Sequence, residues 1–202
     1  MRFQTRQIAL FSVLTAASIG IQLTPSRPPN IETTSLFTFF VGVIFGAVAG
    51  GLFGTLVMFV NGFLSPAGVA GLNLPFQIIG MSIIGVAGGV FKRYGVTGQI
   101  SRVAMETQSF RKQSFKSKII RVTRQVSRVA VEAAILGSFL TLTYDIITNI
   151  GYALIMNVPI IFALMMGIVF SLIHIVSNTL LFGFVFAPLL KASKVIGELK
   201  GS

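Results

Sequence analysis

The sequence predicts an all-α integral membrane protein with six transmembrane helices and cytoplasmic N- and C-termini. Hydrophobic residues make up 53% of the 202-residue chain and charged residues only 10%, against about 25% in ordinary soluble domains. Apolar runs recur along the chain, and the basic residues are concentrated between them and at its ends. So few charges cannot cover a soluble surface, whereas lipid is itself an apolar solvent. We therefore expect one multi-pass domain, residues 1–202, in the cell membrane.

Six apolar runs define the predicted helices. The first ends before Pro25, because proline cannot continue a helix and keeps the residue before it extended. Gly50-Gly51 is expected to separate the second and third in a tight hairpin, since one helix of about 30 residues would exceed a ~30 Å hydrocarbon core. The predicted helices are residues 7–23, 35–49, 52–64, 74–91, 129–156 and 160 to about 190.

The basic residues give the predicted orientation. Two precede the first helix, ten lie in the loop at about 92–128, and three follow the last helix, which leaves only Arg27 on the other side. Lys and Arg concentrate on the cytoplasmic face of membrane proteins. Merging the second and third runs into one span would split this charge between the two faces, so six spans is the better interpretation.

The net charge of +11 does not indicate a nucleic-acid partner, because the basic residues flank membrane runs and form no soluble basic face. From Phe115, apolar and basic residues alternate in a pattern typical of an amphipathic helix lying on membrane lipid. The loop is interpreted as fixing topology, with a docking surface as the alternative.

The sequence predicts no enzyme, cofactor or metal site. It has no G-x-x-x-x-G-K-[ST] motif for ATP and no H-E-x-x-H motif. It contains no cysteine and only one histidine, His174. Binding, not catalysis, is the predicted activity.

The fifth predicted helix carries the most distinctive polar face. Asp145, Asn149 and Tyr152 recur at i, i+4 and i+7, which is one side of a helix. Asp145 is the only acid deep in an apolar run, about 16 Å from the outer end near Met156. Polar residues in membrane helices usually face a bundle interior or a cavity. The alternative is that Asp145 only bonds a neighbouring helix.

Other polar residues are predicted at the same outer end. His174 could contact a ligand or join two helices, and Asn30 and Asn73 could instead cap helices. Converging polar groups at one end of an apolar bundle are what a small-molecule pocket needs. The predicted substrate-binding residues are Asn30, Glu32, Asn73, Gln77, Asp145, Asn149, Tyr152 and His174.

Ser12, Ala16 and Gly20 form a stripe of small residues at four-residue spacing on the first helix. Small residues allow close helix approach. The stripe could serve internal packing or contact an external partner.

Two stretches resemble the substrate-binding subunits (S components) of energy-coupling factor (ECF) transporters. They are Pro29-Asn30-Ile31-Glu32 followed by the run 40–46, and Tyr144-Asp145-Ile146-Ile147-Thr148-Asn149. The six-helix plan is also similar, as is the stripe on the first helix, although Ser12 stands where that family would have alanine. The basic loop is longer than expected for the family.

The resemblance implies a division of labour. The chain would capture a vitamin or related micronutrient from outside the cell. It would dock on a separate transmembrane coupling protein that carries two ABC ATPases. Cobalamin, riboflavin, pantothenate and thiamine-related compounds all remain open as ligands.

Two other functions remain open. In a stand-alone secondary transporter or channel, Asp145 could carry a proton or ion, although no internal repeat is evident. The second is an accessory subunit of a membrane lipid enzyme, although the sequence has no carboxylate cluster able to hold Mg²⁺.

The predicted topology can be tested with single cysteines at Ser26 and Ser109. An impermeant thiol reagent added to intact cells should label the first and not the second, because the positive-inside rule assigns the basic loop to the cytoplasm. Labelling of the cysteine at position 109 from outside would contradict the six-span topology.

Overall fold

The computed structural model describes residues 5–24, 31–64, 71–94 and 115–198. Asn30, Ser26, Arg27 and residues 95–114 of the basic loop lie outside these ranges. The described residues form six α helices and a short 3₁₀ turn at Gly71–Asn73. The helices are α1 (Thr5–Gln22), α2 (Thr34–Phe45), α3 (Ala47–Leu64), α4 (Leu74–Tyr94), α5 (Phe115–Met156) and α6 (Ile160–Glu198).

The chain is a helical membrane protein. Four described segments are long and apolar enough to cross a membrane: Ala47–Leu64, Gly71–Tyr94, Ser127–Met156 and Ile160–Ala192. The other two apolar helices, Ile8–Gln22 and Thr34–Phe45, are shorter. Large apolar side chains cover much of α6, where Ile161 and Phe184 are 71% and 76% exposed. Such a surface suits lipid. Six spans and cytoplasmic termini stay predictions.

The predicted break between the second and third helices was wrong by four residues. The chain turns at Gly46, whose φ of 98° is a conformation that glycine adopts without strain. Gly50 and Gly51 lie inside α3 instead. The hairpin itself is tight, because a Cβ built on Gly50 would lie 2.6 Å from Gly42 Cα. Gly50 and Gly51, where the sequence predicted the turn, instead allow close packing between helices.

Glycines bring α2, α3 and α4 into backbone contact. A Cβ at Gly85 of α4 would overlap the carbonyl oxygen of Gly50, and one at Gly88 would overlap that of Phe39. Without Cβ atoms, helices in lipid can approach closely and gain van der Waals contact. The three helices therefore form one tightly packed unit on which α5 and α6 lie.

The last two helices are longer than their predicted membrane runs. α5 begins at Phe115, as the alternating basic segment predicted, and α6 continues through Pro188 to Glu198. The backbone hydrogen bonds of an α helix are formed within the helix, so the helix can continue past the apolar core into a basic segment. A short connection at Asn157, with a φ of 54°, turns α5 back into α6 as an antiparallel pair.

The small-residue stripe of α1 faces outward. Ser12, Ala16 and Gly20 are exposed, and no atom lies within 4 Å of a Cβ built on Gly20. The buried side of α1 carries Leu14 and Ser18. Within the described residues, the stripe therefore does not pack against another helix of this chain.

Candidate functional site

A polar cavity of about 360 Å³ opens at one end of the bundle. It lies where the segment before α2, the start of α4, the C-terminal half of α5 and the N-terminal half of α6 meet. Its volume is at the small end of the range of about 300–1,000 Å³ for ligand pockets. The cavity is lined by Glu32, Asn73, Gln77, Tyr144, Asp145, Thr148, Asn149, Tyr152, Gly167, Phe170, Ser171 and His174.

Helical periodicity brings these residues to the cavity. On α5 the face runs through Asp145, Asn149 and Tyr152, and on α6 Gly167, Ser171 and His174 repeat the i, i+4, i+7 spacing. Gly167 leaves room for the opposite side chain, because a Cβ there would overlap Asn149 Oδ1. The two faces therefore meet across the cavity.

His174 lies between two buried carboxylates at the base of the cavity. Its Nδ1 is 2.8 Å from Asp145 Oδ1, and its Nε2 is 3.4 Å from Glu32 Oε1. The first distance is a hydrogen bond; the second is an ion-pair contact longer than an ideal hydrogen bond. All three residues are at most 8% exposed. We refer to Glu32, His174 and Asp145 as the buried charge chain.

Glu32 is held from three sides. Gln22 Nε2 of α1 donates to Oε2 at 3.0 Å, and Ser35 Oγ of α2 donates to Oε1 at 3.1 Å. Burial raises the pKa of Glu32, but the contact with His174 and these two hydrogen bonds outweigh that effect and hold the pKa below its ordinary value. Glu32, which lies in the connection before α2, is thus held in place as a hydrogen-bond acceptor at the cavity.

Two polar side chains of the upper wall are positioned by backbone carbonyls. Asn149 Nδ2 donates to the Asp145 carbonyl at 2.7 Å, and Asn73 Nδ2 donates to the Thr148 carbonyl at 3.3 Å. The second bond ties the start of α4 to α5. Asn73 Oδ1 and Asp145 Oδ2 are buried and accept no hydrogen bond from the described residues. Asn73 therefore does not cap α4 through its side-chain oxygen.

The floor below the buried charge chain is closed. One turn deeper, Asn178 Nδ2 donates to Thr141 Oγ1 at 2.9 Å, and both residues are at most 1% exposed. This hydrogen bond joins α6 to α5. Deeper still, Gly137 receives the ring of Phe182, which is fully buried and lies 5.4 Å from the ring of Phe39.

The structure brings seven of the eight predicted site residues to the cavity; the eighth, Asn30, lies outside the described residues. Their contact with a ligand stays a prediction. His174 joins two helices, and it also lines the cavity. Sequence reasoning did not select five lining residues. Extending the helical spacing from His174 and Asp145 would have found Gly167, Phe170, Ser171 and Thr148, whereas Tyr144 required the packing of the helices.

Comparison of the chain with protein-family models, curated proteins and solved structures found no match. Among the described residues, no group of three or more His, Asp or Glu side chains is arranged to hold a metal ion.

The buried charge chain predicts a specific pattern of stabilities. His174→Leu should lower the free energy of unfolding by about 3–5 kcal/mol, because it strands two carboxylates in an apolar interior. Adding Glu32→Gln to His174→Leu should restore part of that loss by removing one stranded charge. Melting of the purified variants in detergent measures both effects.

Asn178→Leu provides the matched control, because it breaks an uncharged interhelical bond one turn away on the same helix. Glu32→Gln should not restore the stability of that variant. If the losses of His174→Leu and Glu32→Gln simply add, the two residues do not form an ion pair.

Proposed function

We propose that the chain is the substrate-binding S component of an ECF-type uptake transporter in the cell membrane, and that it captures a vitamin-like molecule from outside. The observation that carries the proposal is a single-ended polar cavity in an apolar bundle. The cavity lies at the opposite end of α4 from Lys92, whose Nζ donates to the Ile44 carbonyl at 2.7 Å. Under the positive-inside rule that opposite end is extracellular.

The closed floor favours capture over free passage. A ligand in the cavity would meet the buried charge chain, then the Thr141–Asn178 hydrogen bond, then the packed ring of Phe182. Passage through the described part of the bundle would require these layers to separate. Release inward would therefore need work supplied from elsewhere, as a separate coupling protein with two ABC ATPases would provide. The chain has no ATP-binding motif of its own.

The outward stripe of α1 supports a docking role. Ser12, Ala16 and Gly20 are exposed at four-residue spacing, and their small side chains would let a partner helix approach closely. α1 also ends at Gln22, which bonds to Glu32 beside the cavity. The proposed docking helix is thereby in direct contact with the proposed binding site.

A stand-alone secondary transporter is the second candidate. The observation that favours it is the contact between His174 and Asp145, because such pairs can carry protons in transporters. The two proposals differ in a simple test: a secondary transporter would accumulate substrate in vesicles without the coupling protein or ATP.

Ligand titration of the purified protein tests the binding role. Asp145→Asn preserves shape and removes charge, so it should weaken binding of the ligand by about 1.5–3 kcal/mol, the range for charged hydrogen bonds. This is about ten- to a hundred-fold or somewhat more in Kd. Glu132→Gln removes a carboxylate that is outside the cavity on the same helix, and should leave affinity unchanged. Unchanged affinity in Asp145→Asn with a large fall in stability would mean that Asp145 only joins helices.

Co-purification with the coupling protein and its ATPases tests the docking role. Ala16→Leu or Gly20→Leu should reduce recovery of the complex, because bulky side chains hold helices apart. Ligand affinity of the isolated protein should stay nearly unchanged. Val131→Phe adds bulk to an exposed position on α5 and should not affect assembly. Equal recovery of all three variants would exclude the stripe as the docking surface.

A further inference from the structure

We propose that the cavity selects a small organic cation, a ligand with a positively charged nitrogen and N–H or N-alkyl groups, and rejects carboxylate and phosphate compounds. This inference rests on the proposed binding function and names the chemical class of the ligand. It follows from the charge of the cavity, the direction of its unused hydrogen bonds and its aromatic walls.

The charge of the cavity is negative whichever residue holds the central proton. His174 Nδ1 is 2.8 Å from Asp145 Oδ1, and if Asp145 is ionised the proton of this hydrogen bond belongs to Nδ1, because a carboxylate can only accept. At 3.4 Å from a carboxylate oxygen, a bare Nε2 lone pair would be repelled, so a proton belongs either to Nε2 or to Glu32. Both assignments leave one net negative charge on the buried charge chain.

Among the described residues, no lysine or arginine lines the cavity to balance this charge. A buried charge without a counter-ion is costly in a medium of low dielectric constant. A cationic ligand would supply the missing counter-charge. An anionic ligand would place a second negative charge beside the first, and like charges a few ångströms apart repel strongly in such a site.

The hydrogen-bonding groups left unused on the cavity wall point to the same ligand. Asp145 Oδ2 is one such group, an acceptor that receives no donor from the described residues. Asn73 Oδ1 also receives no donor, but it lies beside Gly151. One N–H of each of the Asn149 and Asn73 amides is already used by a backbone carbonyl. Buried acceptors need donors. A ligand carrying N–H groups would supply the donor that Asp145 Oδ2 lacks among the described residues.

The aromatic side chains that line the cavity also favour a cationic ligand. Tyr144, Tyr152 and Phe170 line the cavity along with the carboxylates. Tyr144 is buried against His174 with ring centroids 6.0 Å apart, whereas Tyr152 and Phe170 are exposed. Aromatic faces attract cations through their quadrupole, and aromatic cages bind alkylated ammonium groups. The carboxylates and aromatic rings together form a site suited to an organic cation, and a volume of about 360 Å³ restricts it to a small one.

A panel of probes that differ in charge tests the inference on the purified full-length protein. The cations are thiamine, choline and pyridoxamine; riboflavin is the neutral probe and pantothenate the anion. Titration calorimetry should detect at least one of the cations and neither of the other two. Glu32→Gln and Asp145→Asn should each weaken binding of that cation by about tenfold or more, while Glu132→Gln should not change it.

The outcomes separate the two proposals. If riboflavin or pantothenate binds and no cation does, the cation inference is wrong and the binding function stands. If no probe of any charge binds, the binding function fails and the inference fails with it. Should the carboxylate variants not fold, the panel on the unaltered protein still decides between cation and anion.

Discussion

The contact of His174 with two buried carboxylates organises the cavity end of this protein. Asp145 belongs to α5, His174 to α6, and Glu32 to the connection ahead of α2, so one imidazole ring fixes three separate parts of the chain. Gln22 extends the connection to α1. In an apolar bundle each of these groups would be costly alone. Their contacts with one another hold α5, α6 and the segment before α2 together at the cavity.

Packing elsewhere makes that arrangement possible. Glycines let α2, α3 and α4 meet at backbone distance, which provides a rigid wall, and Phe182 fills the space below the Thr141–Asn178 hydrogen bond. At Gly167 the missing side chain does not bring two backbones together but leaves room for the side chain of Asn149. Small residues thus allow close helix packing in the bundle and also leave room for a side chain in the cavity wall.

The sequence allowed much of this to be predicted, and the exceptions have physical causes. Apolar length located the helices, and 3.6-residue periodicity placed Asp145, Asn149 and Tyr152 on one face. The turn at Gly46 was missed because the residue types alone do not show which glycine has a positive φ. The pair Gly50-Gly51 is at least as typical of a turn as Gly46 is. The contact between Glu32 and His174 joins residues far apart in the chain, so no local pattern could reveal it.

His174 is the only histidine in the chain, so its ring can be observed without ambiguity by nitrogen NMR of protein labelled at histidine. We expect a protonated Nδ1 in a hydrogen bond, with ring signals that change in both Asp145→Asn and Glu32→Gln and change again when a ligand that binds is added. Signals of an imidazole in free exchange with water, identical in the two variants and unaffected by any ligand that binds, would contradict it.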